Sequence, residues 1–88
     1  MATVSEEQVR RDVTAFIVEH FLFGSAADAP RPDSSFLATG LIDSTGILDV
    51  IELLGSKYGV TVDVDEILPE NLDSVAKIAA FVVRKKGG

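Results

Sequence analysis

Asp43 and Ser44 stand at the head of an amphipathic run and follow Gly40-Leu41-Ile42, so the chain presents a lone hydroxyl where a helix begins. The first turn of a helix has N–H groups without intrahelical partners and the positive end of the macrodipole. A phosphate ester on Ser44 would therefore be electrostatically favoured. The chemistry suggested is attachment: Ser44 supplies the oxygen that receives a group and does not turn over substrate. A serine hydrolase needs an oriented base and an oxyanion hole, and the chain has neither a G-x-S-x-G elbow nor a second histidine. His20, the single histidine, falls on the apolar stripe of the first helical run and far in sequence from Ser44, which reads as a fringe-of-core or helix-end residue. No self-contained enzyme is expected.

Two further constellations compete with this one. Asp73-Ser74 is a second Asp-Ser pair, and a helix N-cap with Asp73 as the capping residue explains it completely. On residue types alone, capping is also the favoured reading of Asp43-Ser44. Asp63, Asp65 and Glu66 have some likeness to a calcium loop, but the sixth position, where glycine is needed, is Leu68 and the twelfth, where a bidentate glutamate is needed, is Ser74. An EF-hand is excluded at that register.

Helices must position these residues, because the periodicity shows almost nothing else. Ser5 with Gln8 three residues on has capping-box spacing, and Val9, Val13, Phe16 and Ile17 then recur at helical intervals, predicting a helix over about 6–23. From Gly24 to Asp43, two prolines and small polar residues predict an irregular connection. Phe36, Leu37, Leu41 and Ile42 pin its second half across the helices, and Gly40 allows the turn into the next element. A helix over about 44–58 places Ile47, Val50, Ile51, Leu54 and Tyr58 on one stripe and Thr45, Asp49, Glu52 and Ser56 opposite, with Leu48 at the border. Gly59 ends it in the left-handed conformation. Val60-Thr61-Val62-Asp63-Val64 alternates like a strand, yet nothing else alternates to pair with it, so an extended loop is expected, then a short helical turn near 65–68 closed by Pro69. The last helix, about 74–86, turns Val75, Ile78, Ala79 and Val82 inward and sets Arg84, Lys85 and Lys86 at the negative end of its dipole, with Gly87-Gly88 fraying.

Composition narrows the class. Eighty-eight residues at 47% apolar content make one small folded domain, with an ordered core expected over about 5–86. The chain has no cysteine, so any thiol chemistry must be imported. No apolar run approaches a membrane span and the first seven residues lack a signal-peptide pattern, so a cytoplasmic, non-membrane protein is expected. Acidity is regional: between residues 43 and 73 lie eight acids against Lys57 alone, a local balance of −7 in a chain of net charge −6. Such a field repels nucleic acid and draws basic protein surfaces toward the stretch that begins at Ser44.

The run from Gly40 to Leu54, preceded by Phe36 and followed by Tyr58-Gly59-Val60 and Asp65-Glu66, resembles the acyl and peptidyl carrier protein family over nearly the whole chain. The resemblance implies an all-α four-helix bundle, three longer helices plus a short third one, with a long loop between helices one and two. It implies that Ser44 carries a 4′-phosphopantetheine arm transferred from coenzyme A by a phosphopantetheinyl transferase, with Asp43 as motif partner, and that the arm's thiol holds acyl or aminoacyl groups as thioesters. Partner enzymes are then expected at Thr45, Leu48, Asp49, Glu52, Asp65 and Glu66: a loading ligase, and downstream acyltransferases, synthases or condensing enzymes, served by a monomeric carrier. Thr45 and Gly46 depart from the family's usual leucine and acid, Gly55 and Ser56 replace later acids, and the usual proline before the third helix is absent. Fatty acyl, polyketide and amino acid cargo are all compatible, and the variation around Ser44 leans toward a discrete carrier in a specialised or amino-acid-loading pathway. A reading of a different class is a small acidic helical interaction module without a covalent cofactor.

Overall fold

A computed structural model describes residues 5–86, and the expectations for Met1–Val4 and Gly87–Gly88 lie outside them. Five α-helices form in chain order: α1 Glu6–Phe21, α2 Phe36–Thr39, α3 Gly46–Tyr58, α4 Pro69–Leu72 and α5 Val75–Lys85. Single 3-10 turns at Ala26–Asp28 and Val64–Glu66 interrupt the connections, and there is no strand among the described residues. The fold is the expected all-α bundle, with three longer helices enclosing one core. Val9, Val13 and Ile17 of α1, Val50 and Leu54 of α3, and Val75, Ile78, Ala79, Phe81 and Val82 of α5 are all buried, and α1 and α4 pack directly on α5. Fully burying one such aliphatic side chain contributes about 1.5–3 kcal/mol, so this interior dominates the cohesion.

Four of the five helix starts share one device, and α4, which begins at Pro69, lacks it. Ser5, Ser35, Asp43 and Ser74 each accept a hydrogen bond on the side chain from the backbone N–H three residues on, at 3.0, 3.0, 2.7 and 3.1 Å. Each satisfies one of the donors that a helix start leaves free. Ser5 caps α1 as its spacing predicts, but Gln8 does not reciprocate; its amide donates to Asp12 instead.

Several boundaries differ from expectation for physical reasons. Helix α1 stops at Phe21, two residues early, and Phe23 takes a positive φ of 53° and is 94% exposed. The long connection is not irregular throughout: Ser35 and Gly40 cap the two ends of α2, with Gly40 at φ 74°. Phe36 and Ile42 are buried and Leu41 is half-buried, as pinning requires, whereas Leu37 is 57% exposed. Pro69 opens α4 instead of closing a turn before it, because its fixed φ suits a first helical position where no N–H is needed. Asp73 does not cap the last helix. That duty falls to Ser74, and Asp73 turns toward the long connection, where its carboxylate accepts from the Ser35 hydroxyl and from the Leu37 N–H at 3.0 Å. Two backbone bonds complete this seam: Phe36 N–H to Asp73 C=O at 2.8 Å and Ala76 N–H to Pro32 C=O at 2.7 Å. They account for how a connection this long lies flat on the bundle.

Candidate functional site

Helix α3 is announced before its first regular residue. The Asp43 carboxylate accepts from the Gly46 N–H at 2.7 Å, and the Ile47 N–H donates to the Asp43 carbonyl at 3.0 Å, so Asp43 acts as the cap and Ser44 and Thr45 form the leading turn. The sequence-based start at Ser44 therefore precedes the regular helix by two residues, within the usual latitude of such boundaries. Ser44 is exposed, and neither its hydroxyl nor its N–H has a hydrogen-bond partner among the described residues. A capping serine would have spent its oxygen on the backbone; because Asp43 does that work, the hydroxyl of exposed Ser44 stays uncommitted.

Beside this turn lies an apolar cleft of about 140 Å³ between the starts of α2 and α3 and the segment 67–73. Buried Phe36, Ile42 and Leu72 line it with half-buried Ile47, exposed Leu37 and Leu68 stand at its edge, and Ser44 itself contributes to the wall. That volume is close to the engineered cavity known to hold benzene and well below that of a drug-sized pocket. A small apolar group fits.

The residues expected to meet partners fall into two sets. Leu48 is 55% exposed, and Thr45, Glu52 and Asp65 are exposed, so all four present themselves outward. Asp49 and Glu66 have partners within the molecule. The Glu66 carboxylate accepts from the Asp63 N–H at 3.0 Å and from Lys85 Nζ at 2.9 Å, contacts that hold its pKa below the ordinary 4.5 and, through the same pair, raise that of Lys85. Asp49 lies 3.2 Å from His20 Nε2.

His20 was the residue whose place the sequence concealed most. Its ring stacks on Phe16 at 4.9 Å and meets Phe21 edge-on at 4.9 Å, at the fringe of the core as expected, yet it also reaches α3 within five residues of Ser44. Twenty-nine positions separate His20 and Asp49, and nothing in either residue's local pattern signals the pair. At the far end of α3, the Tyr58 hydroxyl donates to Asp12 at 2.5 Å; burial first and then this bond push its pKa above the ordinary 10.0.

The attachment chemistry can be tested on this geometry. A phosphodiester on Ser44 would find an uncommitted oxygen and an open first-turn N–H, with Asp43 already turned to the Gly46 amide, so the residues present fit it. Comparison with known proteins finds no matching family model and no matching curated sequence. No helix among the described residues is long and apolar enough to cross a membrane.

Proposed function

We propose that this chain is a carrier protein of the acyl and peptidyl carrier type, in which Ser44 receives a 4′-phosphopantetheine arm. The observation that carries this reading is the uncommitted hydroxyl of exposed Ser44 in a turn capped by its neighbour. In the modifying reaction Ser44 Oγ attacks the phosphorus that bears the pantetheine of coenzyme A. A new O–P bond forms, the P–O bond to the adenosine-side phosphate breaks, adenosine 3′,5′-bisphosphate leaves, and the serine proton passes to a base on the transferase. Once attached, the arm supplies what this cysteine-free chain lacks, a thiol, which holds acyl or aminoacyl groups as thioesters.

The chain's own residues do the rest. Asp43 fixes the turn, and Leu48 and Glu52 offer a small contact surface in an acidic field that favours fast, readily reversed docking by basic partner enzymes such as loading ligases and condensing enzymes. The cleft beside Ser44 has room for a small apolar group, which is compatible with short or amino-acid-sized cargo. A cytoplasmic, monomeric carrier is the form proposed.

The test is direct. Incubate the chain with coenzyme A and a promiscuous phosphopantetheinyl transferase and measure the intact mass. One arm on Ser44 is expected, none on Ser44→Ala, and an unchanged wild-type mass would sink the carrier reading in favour of a cofactor-free interaction module.

A further inference from the structure

Gly46 is buried in an ordinary helical conformation, so backbone freedom does not explain why it lacks a side chain. Space does. A Cβ placed there would lie 3.0 Å from Ile42 Cγ2, 3.0 Å from Phe21 Cε1 and 3.3 Å from Asp43 Oδ1. Two of those neighbours immediately precede Ser44, and the third reaches across from the end of α1. Phe21 is itself braced, edge-on, by Phe16 and His20, and His20 bonds Asp49 at 3.2 Å. The end of α1 thus grips α3 at Gly46 and Asp49, three residues apart and so on one face of the helix.

We propose that Gly46 is a positioning residue for modification of Ser44: its bare Cα lets Phe21 close on the leading turn of α3 and so sets where the Ser44 oxygen stands. The inference rests on the carrier reading above. An added methyl must displace Ile42, Asp43 or Phe21, and Ser44 lies between Asp43 and Gly46 with no bond of its own to hold it. Group transfer is sensitive to such movement, since a misplacement of about 1 Å costs about a hundredfold in rate; a shift of a few tenths of an ångström corresponds to about tenfold. The loss belongs in kcat, because the outward-facing docking residues are unchanged.

The experiment measures transferase kinetics with the unmodified full chain as the varied substrate. Gly46→Ala is expected to lower kcat about tenfold with KM nearly unchanged. Gly55→Ala, the same methyl where the nearest atom is the Val60 carbonyl at 3.7 Å, leaves both constants unaltered. Phe21→Leu, which removes one of the two atoms at 3.0 Å while Ile42 Cγ2 stays, restores part of the lost kcat when combined with Gly46→Ala. Wild-type kcat in Gly46→Ala, a loss confined to KM, or failure of Phe21→Leu to restore part of the rate would each overturn the assignment. If Gly46→Ala loses its helical circular dichroism, the double variant decides: folded and modified less than about tenfold below the wild-type rate it supports the proposal, and folded but slower than that it refutes it. A readout independent of the transferase is the Ser44 amide resonance, expected to move in Gly46→Ala and to shift back toward its wild-type position in the double variant. If the wild-type chain accepts no arm, the carrier reading fails, while this resonance still reports whether Gly46 sets the turn.

Discussion

At residues 43–44 the aspartate caps the helix and the serine is left free; at 73–74 the serine caps and the aspartate reaches into the neighbouring loop. Both aspartates border the same apolar cleft. The dipeptide is identical, so the difference comes from what lies over it. The long connection crosses Asp73-Ser74, where the Phe36 and Ala76 amide bonds seal the seam and leave Ser74 2% exposed. Among the described residues no segment crosses Asp43-Ser44, and its serine stays exposed. Capping chemistry can thus be met by either residue of the pair, and tertiary cover decides which oxygen remains available.

The comparison can be broken most decisively at the two serines. Ser44→Ala should abolish arm attachment while changing stability by less than about 0.5 kcal/mol, because the hydroxyl makes no bond; Ser74→Ala should be modified normally and lose about 1 kcal/mol with its cap. Intact-mass measurement and urea melts of both variants check this, and loss of modification in Ser74→Ala alone would invert the assignment. Asp73→Ala strips the seam of its Ser35 and Leu37 bonds, and hydrogen bonds to a charged group contribute about 1.5–3 kcal/mol each, so a loss of about 3 kcal/mol, the low end for two, is expected from denaturant midpoints. Asp43→Ala removes only the Gly46 contact and should cost about 1 kcal/mol, with slower arm transfer, since the turn that carries Ser44 loosens.

Smaller effects sharpen the picture away from the pairs. Phe23→Gly should gain about 1 kcal/mol in thermal melts by relieving a left-handed conformation that glycine adopts freely. Titration should show two edges. Glu66 has a lowered pKa, so its contribution is present above the ordinary 4.5 and disappears as the pH falls below that range. Tyr58 and Lys85 have raised values, so their contributions are complete below about pH 10 and fade above it as the unfolded chain loses those protons first. Melts from pH 7 to 11 should therefore show stability declining above pH 10, and Tyr58→Phe should flatten that decline.

Much of the architecture was legible because local periodicity and burial speak of the same residues. Val9, Val13 and Ile17, Val50 and Leu54, and Val75, Ile78, Ala79 and Val82 recur at helical spacing and are the residues the core encloses. Ser35 and Gly40 were available as a cap pair around Phe36, but a helix of four residues leaves too short a periodic signal to stand out from a loop. Pro69 is visible too, but its type does not say on which side of the boundary it lies: proline marks a break, while its rigid φ serves a helix beginning equally well.

By itself the sequence determined that the chain is helical, acidic around residues 43–73, devoid of sulfur nucleophiles, and furnished with a serine at the start of its second long helix. These follow from residue types and from spacings of three or four positions, which a helix converts directly into neighbours. Only the tertiary structure decided that Asp43 and not Ser44 caps that helix, that Asp73 fastens the loop, that His20 holds Asp49, and that Phe21 and Ile42 close on Gly46. The physical reason is that each depends on a partner brought from another segment, or on the absence of one, and that cover is set by how the whole chain packs.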